Sequence, residues 1–469
     1  MNDQTKQRRT NVTWFARFPQ NRIRRMNASQ LFVLSFVAII LLGTAGLKII
    51  PGMYRGEFTW LDALFTAKSA VCVTGLIVVD TATFFTPAGQ LWVLVLIQLG
   101  GIGMMTFTSL ILIAIGQRLS LRQESILMNF ALVNQRIEFG ALLWRVLAFT
   151  AAIEAVGALV LFLRWLPEYP ASEALWHAIF QSVSAFCNAG FSTFSDSAIG
   201  LQSDPISLFG LAVLIVLGGL GFGTLLDLSG WFRSIVRRGA YRFTLHSQLV
   251  LLVTAALLGV GFFGYLILEW DREFSTLRIT DRFSNAMFMS VTARTAGFNS
   301  IDYAKLSDSS NFLTILLMAV GGSPGSMAGG LKTTTVAVIG LAAWSRLRGR
   351  GNANIFGRTV PDEIIRRAMG LFVLTFGLTT LWIFLLGAAG TTKPGATNFL
   401  HYMFEVVSAF NTVGLSLDVT PNLTASGKLL VIVMMLVGRV GPLTISAALV
   451  MPLQEAHSFR YSREEISIG

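Results

Sequence analysis

Apolar residues are gathered in eight long runs along the chain, with shorter polar stretches between them. Each run can supply the ~20 apolar residues that a membrane-spanning helix needs. The runs cover approximately 31–50, 88–115, 141–163, 207–230, 248–268, 311–344, 370–388 and 428–451. The pattern therefore predicts an all-α polytopic membrane protein with eight transmembrane helices.

A shorter apolar segment that ends near a glycine lies between the two runs of each successive pair. With roughly 12–16 residues of helix, each is too short to span and is typical of a re-entrant half-helix. The four segments are 60–76, 175–191, 283–298 and 400–415. The pattern predicts four repeats of helix, pore half-helix and helix (M1-P-M2), related by pseudo-fourfold symmetry as in potassium channels.

Aligning one glycine from each segment brings other residues into register, which is the signature of an internal repeat. The aligned glycines are Gly75, Gly190, Gly297 and Gly414. Ten positions before them stand Phe65, Phe180, Met287 and Phe404. A second glycine set follows each segment at Gly100, Gly218, Gly321 and Gly438. The predicted divisions are a basic N-terminus (1–28), repeats at 29–117, 118–238, 239–348 and 349–452, and a tail (453–469).

Composition supports a membrane protein and excludes other classes. Of the 469 residues, 53% are hydrophobic and 13% are charged, about half the ~25% charged content of soluble proteins. Disordered chains need low hydrophobicity and high charge, and a soluble enzyme could not keep this much apolar surface from water. The net charge is +11, and most of the positive charge falls on one side of the predicted topology. That side is expected to be cytoplasmic and to hold both termini.

The backbone at the four aligned glycines is the candidate functional site. Non-helical backbone at membrane depth is tolerated where it is buried in protein or lines a water-filled cavity. Carbonyl oxygens from four such segments can replace the hydration shell of a cation, and the partly negative end of each half-helix favours one. The predicted K⁺-binding filter consists of Val73, Thr74, Gly75, Asn188, Ala189, Gly190, Thr295, Ala296, Gly297, Thr412, Val413 and Gly414.

For the other polar residues near these segments, two roles are considered in each case. Four aspartates that follow the glycines either attract cations to the pore mouth or act as turn and cap residues: Asp80, Asp196, Asp302 and Asp418. We expect Cys72 and Cys187 to be free, buried side chains behind the filter, rather than a disulfide. We expect His177 and His401 to be satisfied polar groups at half-helix starts, rather than metal ligands. K⁺ at the filter is the one metal ion that the sequence predicts.

The chain resembles the Trk/Ktr/HKT superfamily of cation transporters over nearly its whole length, and within it the KtrB membrane subunits of bacterial Ktr potassium uptake systems. The resemblance is carried by the sequences at 62–76, 290–302, 321–335 and 438–444. It implies potassium uptake across the bacterial plasma (inner) membrane. In this superfamily four filter glycines accompany potassium selectivity, whereas a serine at the first accompanies sodium permeability. Position 75 is glycine here.

Glycine and proline interrupt the second long helix of the third repeat, since both residues break helices. The resemblance implies that this segment, 321–332, is an intramembrane gating loop; an ordinary kinked helix is the alternative. Its predicted gate residues are Gly321, Gly322, Ser323, Pro324, Gly325, Ser326, Gly329, Gly330 and Lys332.

Arg439, Glu154 and Arg294 are intramembrane charges in the predicted topology. A charge inside a span is costly and usually faces a cavity or a partner. Arg439 stands where the other repeats have glycine, and we expect it to complete the gate as an electrostatic barrier under the filter; a structural salt bridge is the alternative. Glu154 and Arg294 are expected to be packing partners that fix half-helices.

The resemblance also implies partners. Family members form homodimers and dock on a cytosolic ring of KtrA-like nucleotide-binding subunits, so ATP or ADP would be held by that partner. The chain itself has no phosphate-binding motif and needs no cofactor. The basic loops 233–242 and 346–367 can contact either that ring or lipid headgroups. No basic cluster interleaved with aromatic residues suggests nucleic-acid binding.

Three rival functions remain at this level. A sodium-permeable transporter of the same superfamily is the nearest, and the resemblance leaves dependence on Na⁺, as in a symporter, open. An intramembrane enzyme would need a facing nucleophile–base pair or metal ligands, but the chain has only four histidines. A non-conducting sensor on the same scaffold would have no need for the filter glycines.

Overall fold

In the computed structural model, residues 28–114, 139–349, 351–392 and 398–441 are described. The described residues form fifteen α-helices, four short 3-10 helices and one two-stranded hairpin. The first eight helices are α1 (Ala28–Ile49), α2 (Trp60–Val71), α3 (Thr81–Phe84), α4 (Pro87–Ala114), α5 (Phe139–Trp165), α6 (Ala171–Phe186), α7 (Pro205–Leu220) and α8 (Phe222–Val236). The remaining seven are α9 (Leu245–Glu269), α10 (Ile279–Thr292), α11 (Asp308–Ala319), α12 (Thr333–Leu347), α13 (Asp362–Ala389), α14 (Phe399–Phe410) and α15 (Ala425–Val440).

Strand structure in the described chain is confined to a hairpin between α12 and α13. Its strands are β1 (Asn354–Ile355) and β2 (Arg358–Thr359), which pair antiparallel with Asn354 opposite Thr359. The 3-10 helices are Ile199–Leu201, Glu273–Thr276, Tyr303–Lys305 and Thr420–Asn422. Both elements are connectors, so the protein is helical as predicted.

Several of the helices are long and apolar enough to cross a membrane. Four of them pass this test in the described chain, and the bent pair α7 and α8 adds a fifth if it is counted as one span. The expected count of eight and the repeat boundaries stay predictions. The basic N-terminus, the junction of the first two repeats and the tail lie outside the described residues.

Four short helices, α2, α6, α10 and α14, occupy the positions of the predicted half-helices. Each has a buried face and ends directly before one of the aligned glycine segments. α2 begins at the cap Thr59, whose hydroxyl accepts from the Asp62 amide at 3.1 Å. α14 begins with a capping box between Asn398 and His401.

The hydrophobic core consists of four main clusters. Each is centred in one quarter of the chain (the four predicted repeats, in order) and includes a side chain from another quarter. The first, around α1, α2 and α4, includes Phe180 of α6. The second, around α5 to α7, includes Phe288 of α10. The third, around α9 to α11, includes Phe404 of α14, and the fourth, around α13 to α15, returns to Phe65 of α2. The packing therefore closes in a ring, and the four short helices join its members.

In the third quarter the buried large side chain stands one position later than the aligned residue Met287. Met287 is 38% exposed, whereas the neighbouring Phe288 is 1% exposed. α10 also ends five residues before its glycine, whereas α2, α6 and α14 end four residues before theirs. The earlier end of the helix turns a different side chain into the core.

The second glycine set lets backbone approach backbone. A Cβ added at Gly100, Gly218 or Gly438 would overlap a carbonyl oxygen at the end of a short helix. Those oxygens belong to Val71, Phe186 and Phe410, respectively. α2, α6 and α14 are thus each seated on the long helix that follows, at a place where only glycine fits.

One predicted span is not straight. The run at 207–230 was expected to form one helix, but α7 ends at Leu220 and α8 leaves at an angle of 111°. Gly221 at the break has φ +80°, a conformation that favours glycine. In the last run, α15 ends at Val440 and Gly441 has φ +90°; residues 442–451 of that run lie outside the described residues. The sequence analysis treated the glycine cluster at 218–223 as part of one span and therefore missed the bend.

Replacing Gly218 by Ala is expected to lower stability, because the added methyl meets the Phe186 carbonyl rather than a flexible side chain. Overpacking of this kind typically costs about 1–3 kcal/mol. The measurement is the apparent melting temperature of the purified protein in detergent. Gly259→Ala is the matched control, since nothing lies within 4 Å of its added Cβ. Equal melting temperatures for the two variants would contradict the close approach.

Candidate ion pathway

Three of the four short helices end in the same hydrogen-bonded cap. After α2, the Val73 amide donates to Ala70 O at 3.0 Å and the Thr74 amide donates to Ser69 O at 2.8 Å. These are the two bonds of a Schellman motif. α6 and α14 repeat both bonds, through the amides of Asn188, Ala189, Thr412 and Val413. α10 differs, since the Ala296 amide donates to Thr292 O at 3.0 Å.

The residue that reverses the chain in each cap has a left-handed conformation although it is not glycine. The φ values are +54° at Val73, +58° at Asn188, +72° at Thr295 and +51° at Thr412. A β-branched residue with positive φ is unusual. Such conformations cost on the order of 1–3 kcal/mol and persist where the surroundings impose them, often at functional sites.

Each of these residues is followed two positions later by the aligned glycine, which also has positive φ. The values are +89° at Gly75, +69° at Gly190, +81° at Gly297 and +99° at Gly414. The residue between them keeps a negative φ. Left-handed and ordinary conformations therefore alternate along four equivalent segments, the glycine turns (residues 73–75, 188–190, 295–297 and 412–414).

The four glycines meet in a closed ring. A Cβ added at Gly75 would lie 3.1 Å from the Cα of Gly190, and one at Gly190 would lie 3.1 Å from the Cα of Gly297. A Cβ added at Gly297 would lie 3.1 Å from the Cα of Gly414, and one added at Gly414 would lie 3.0 Å from the Cα of Gly75. The sequence order of the turns is thus their order around the ring.

Carbonyl oxygens crowd the same ring. An added Cβ at Gly75 would lie 2.6 Å from the Ala189 oxygen, and one at Gly190 would lie 2.8 Å from the Ala296 oxygen. At Gly297 and Gly414 an added Cβ would overlap the oxygens of Val413 and Thr74. Side chains are excluded there, so backbone alone forms this ring, and carbonyl oxygens in such a ring can substitute for the water around an alkali ion.

Hydroxyl groups on the short helices hold the turns from behind. Ser69 Oγ accepts from the Gly75 amide and Ser408 Oγ accepts from the Gly414 amide, each at 3.1 Å. Ser184 Oγ donates to Phe191 O at 2.6 Å. The sequence analysis missed these hydroxyls, although Ser69, Ser184 and Ser408 all stand six positions before their glycine.

The two cysteines are free and buried, as predicted. Cys187 Sγ lies 3.4 Å from Gln98 Oε1, and Gln98 Nε2 donates to Glu154 Oε2 at 3.0 Å. The carbonyl of Glu154 also accepts from Ser182 Oγ of α6 at 2.7 Å. Glu154 therefore packs against a short helix, as the sequence indicated.

The predicted interruption of the third quarter is present. Residues 320–332, here called the glycine-rich loop, are non-helical between α11 and α12. The ends of the loop are tied together, since the Gly321 amide donates to Leu331 O at 2.8 Å and the Thr333 amide donates to Gly322 O at 3.1 Å. Lys332 Nζ closes a further turn by donating to Ala328 O at 2.6 Å.

The glycine-rich loop is bonded to the broken end of α7. The Ser323 amide donates to Gly219 O at 3.0 Å, and the Met327 amide donates to Gly218 O at 3.1 Å. The hydroxyl of Ser323 donates to the carbonyls of Gly219 and Leu220. The last carbonyls of a helix have no partner within it. The break at Gly221 thus frees acceptors that the loop uses.

The other end of the glycine-rich loop lies against the fourth glycine turn. A Cβ added at Gly329 would overlap the Thr412 hydroxyl and lie 3.1 Å from Asn411 O. One added at Gly330 would lie 2.9 Å from the Cβ of Asn411. Glycine at both positions is what allows the loop to touch the turn.

Arg439 joins the loop to the first quarter of the chain. Its guanidinium donates through Nη1 to Met327 O and through Nη2 to Gly100 O, the latter at 2.8 Å. The residue is 2% exposed and pairs with no carboxylate among the described residues. The alternative of a structural salt bridge therefore finds no support in the described chain.

Arg294 has a role beyond packing its own helix. Its Nη2 lies 3.4 Å from the Gly321 oxygen at the start of the glycine-rich loop. Lys332, at the other end of the loop, donates to Ala328 O. Three cationic side chains therefore surround the loop.

Two of the four aspartates after the turns act as caps. Asp80 caps α3 by accepting from the Ala82 amide at 3.1 Å. Asp302 accepts from the Ala304 amide at 3.1 Å and pairs with Lys305 at 3.5 Å. Asp80 and Asp302 therefore act as helix-cap residues, which was one of the two expected roles.

Both histidines near the short helices have hydrogen-bond partners, as predicted. His177 Nδ1 lies 2.6 Å from Thr193 Oγ1, and His401 Nδ1 accepts from the Asn398 amide at 3.4 Å. Within the part of the chain that the structure describes, no group of three or more His, Cys, Asp or Glu residues is arranged to hold a metal ion.

Known proteins resemble this chain over nearly its whole length. The family model "TrkH: Cation transport protein" matches residues 9–461. The potassium/sodium uptake protein NtpJ of Enterococcus hirae is 38% identical over 96% of this chain and 99% of its own length. Ktr system potassium uptake protein B of Bacillus subtilis is 37% identical, covering 95% and 97%, respectively.

A solved structure shares the fold. The potassium transporter TrkH from Vibrio parahaemolyticus superposes with a TM-score of 0.68 at 20% sequence identity. The match covers 94% of this chain and 87% of that one. At this identity the likeness concerns the fold alone.

Proposed function

Because the chain belongs to the TrkH family of cation transport proteins, we propose that it carries K⁺ into bacterial cells across the plasma membrane. The observation that carries the proposal is the closed ring of four glycines crowded by carbonyl oxygens. Two relatives named for potassium uptake support K⁺ as the ion. The chain is a transporter rather than an enzyme, since its family and these relatives are transporters.

In the proposed filter, main-chain oxygens of the glycine turns replace the water around K⁺. Each short helix ends at a turn, so its partly negative C-terminal end favours a cation there. Serine hydroxyls behind the first and fourth turns fix the backbone amides that would otherwise compete for the oxygens. The full architecture would be four M1-P-M2 repeats with eight spans, both termini cytoplasmic and the short helices entering from outside.

The glycine-rich loop is the proposed gate. It is bonded to α7, lies against the fourth glycine turn and reaches Arg439. Arg439 would act in two ways: its hydrogen bonds hold the Met327 carbonyl, and its charge repels an approaching cation. Membrane potential would drive uptake when the loop moves aside.

Regulation is proposed to come from outside this chain. The relatives named Ktr system proteins suggest one component of a multi-subunit system. We therefore propose a homodimer on a KtrA-like cytosolic ring, with ATP or ADP held by the ring. Dependence on Na⁺ is suggested by the name of one relative.

Expression in a bacterium that lacks its own potassium uptake tests the function. With a KtrA-like partner supplied, the chain is expected to restore growth at low K⁺ and to give saturable uptake of ⁸⁶Rb⁺. A strain with the same expression level of a Gly297→Val variant is the control, because the ring has no space for that side chain. No uptake by the wild-type chain in the presence of the partner would refute the proposal.

A Gly75→Ser variant tests the filter. The serine Cβ would meet the Ala189 oxygen at 2.6 Å, and φ of +89° is strained for a side chain. A loss of about 1.4 kcal/mol in the free energy of K⁺ binding lowers the affinity tenfold. The ratio of Rb⁺ to Na⁺ uptake is therefore expected to fall about tenfold. Parallel ⁸⁶Rb⁺ and ²²Na⁺ uptake measures it.

Gly259→Ser is the matched control for that experiment, since an added Cβ there meets nothing within 4 Å. It should keep the wild-type ratio. A wild-type chain that already takes up Na⁺ as well as Rb⁺ would favour the sodium-permeable alternative, and an unchanged ratio in Gly75→Ser would remove the ring from the selectivity mechanism.

Arg439→Ala and Arg439→Lys together test the gate. At 4 Å a unit charge repels a cation by about 1 kcal/mol in water and about 4 kcal/mol at an effective dielectric constant of 20. Removing the charge is therefore expected to raise ⁸⁶Rb⁺ flux about tenfold or more and to weaken control by the partner. Arg439→Lys keeps the charge but loses the paired hydrogen bonds, so flux near wild type would identify the charge as the barrier. Unchanged flux in Arg439→Ala would contradict the barrier role.

A further inference from the structure

α8 leaves the end of α7 at an angle of 111°. α7 is an apolar helix of 16 residues that ends at Leu220. If α7 follows the membrane normal, a helix at this angle runs close to the membrane plane. Helices that lie in this plane are amphipathic, with an apolar face toward the acyl chains and basic residues toward the headgroups.

The first half of α8 buries its apolar face within the protein. Leu225 and Leu228 belong to a cluster with Val250 and Leu251 of α9 and Phe149 of α5. Thr224 on the same side is also buried. This half of the helix is therefore seated on the helices beside it.

In the second half of α8 the same face continues and is largely exposed, although the ring of Trp231 packs 6.0 Å from that of Phe243. At about 100° per residue, the next apolar residues fall within a stripe about 140° wide that runs on from Leu225 and Leu228. They are Trp231 (37% exposed), Phe232 (61%), Ile235 (53%) and Val236 (84%). The apolar stripe thus runs past the edge of the protein.

Positive charge lies on the opposite side of this half-helix. By the same rotation, Arg233 and Arg237 face away from the apolar stripe. Arg238 and Arg242 follow within five residues, and no acidic residue occurs between 228 and 242. None of these four arginines forms an ion pair with a described residue.

The nearest carboxylate is engaged elsewhere. Asp227 accepts from Tyr241 Oη at 3.0 Å, from Thr244 Oγ1 at 2.7 Å and from Ser247 Oγ at 2.6 Å. These bonds fold the segment after α8 back onto the start of α9. They fix the direction of α8 and leave its arginines available.

We infer that the second half of α8 is a binding surface for anionic phospholipid. Acyl chains cover the apolar stripe that ends in Val236, and phosphate groups take the guanidinium groups of Arg233 and Arg237. Guanidinium binds phosphate through two parallel hydrogen bonds, and tryptophan is enriched at the level of the headgroups. A lipid surface matches both faces of the helix, whereas an acidic protein would match only the basic one.

This surface is directly linked to the glycine-rich loop. The amide of Phe222, the first residue of α8, donates to Gly325 O at 3.2 Å, and a Cβ added at Gly221 would lie 2.7 Å from Pro324 O. A lipid that holds α8 in the interface therefore also fixes one side of the loop. The consequence for transport rests on the proposed function of that loop as the gate.

Quenching of Trp231 by brominated lipid tests the binding. The full chain is reconstituted in phosphatidylcholine vesicles that contain a minor fraction of either brominated phosphatidylglycerol or brominated phosphatidylcholine. The difference between wild type and Trp231→Phe isolates the signal of this side chain. Phosphatidylglycerol is expected to quench it several-fold more than phosphatidylcholine at the same fraction, because the arginines concentrate the anionic lipid.

Arg233→Gln combined with Arg237→Gln should reduce quenching by phosphatidylglycerol to the phosphatidylcholine level. Arg272→Gln with Arg278→Gln is the matched control, since both are exposed and lie on the segment after α9; it should leave the preference intact. Equal quenching by the two lipids would overturn the inference. Quenching by neither would mean that protein covers the stripe, which also overturns it.

A preference that appears only after a cytosolic partner is added would assign the basic face to an acidic protein instead. The readout is independent of transport. A chain that takes up ⁸⁶Rb⁺ but shows no lipid preference refutes the lipid surface alone. A chain that prefers phosphatidylglycerol but takes up no ion refutes the transport proposal alone.

Discussion

Approach of backbone to backbone, possible only at glycine, is the constraint on which the structure depends. One set of glycines forms the closed ring, where each residue lies against the main chain of the next turn. A second set in α4, α7 and α15 receives the last carbonyls of α2, α6 and α14. The second set lets three of the four short helices sit deep against the long helices that follow them, which brings their glycine turns together in the ring.

The third quarter departs from this plan, and the departure has a consequence elsewhere. Gly321 receives the Gly329 carbonyl of its own loop rather than the end of a short helix. Breaking a helix leaves polar backbone groups that must find partners in an apolar surrounding. The break after Leu220 supplies acceptors and the loop at 320–332 supplies donors. The two helix breaks would each leave unpaired backbone groups, and here those groups hydrogen-bond to one another.

The parts of this arrangement that sequence could predict are those repeated along the chain. Four short apolar segments that end in aligned glycines have a local signature, and the helices formed where that signature stands. The glycine-rich loop was predictable for a similar reason, since Pro324 and several glycines interrupt an apolar run. The free cysteines and the paired histidines followed from the absence of any metal-ligand spacing.

Contacts between distant residues left no such signature. The bend at Gly221 depends on a loop about a hundred positions away. Gly218, Gly219 and Gly223 surround Gly221 in an apolar run that was long enough to be taken as one span. Asp62 pairs with Lys428 at 2.7 Å across a separation of 366 residues and joins the last quarter to the first. The contacts of the ring impose left-handed backbone at Val73 and Thr412. Conformational propensity could not predict it, because β-branched residues rarely adopt positive φ.

The charges around the glycine-rich loop connect its stability with its proposed role. Arg294, Lys332 and Arg439 donate to carbonyl oxygens of the loop at Gly321, Ala328 and Met327, respectively. A cation on the pathway proposed here seeks ligands of the same kind. In the proposed pathway the three side chains would hold oxygens suited to K⁺ and would repel the ion by their charge. In the proposed gate, opening would separate the loop from Arg294 and Arg439, so the hydrogen bonds of these arginines and their repulsion of the ion would be lost together.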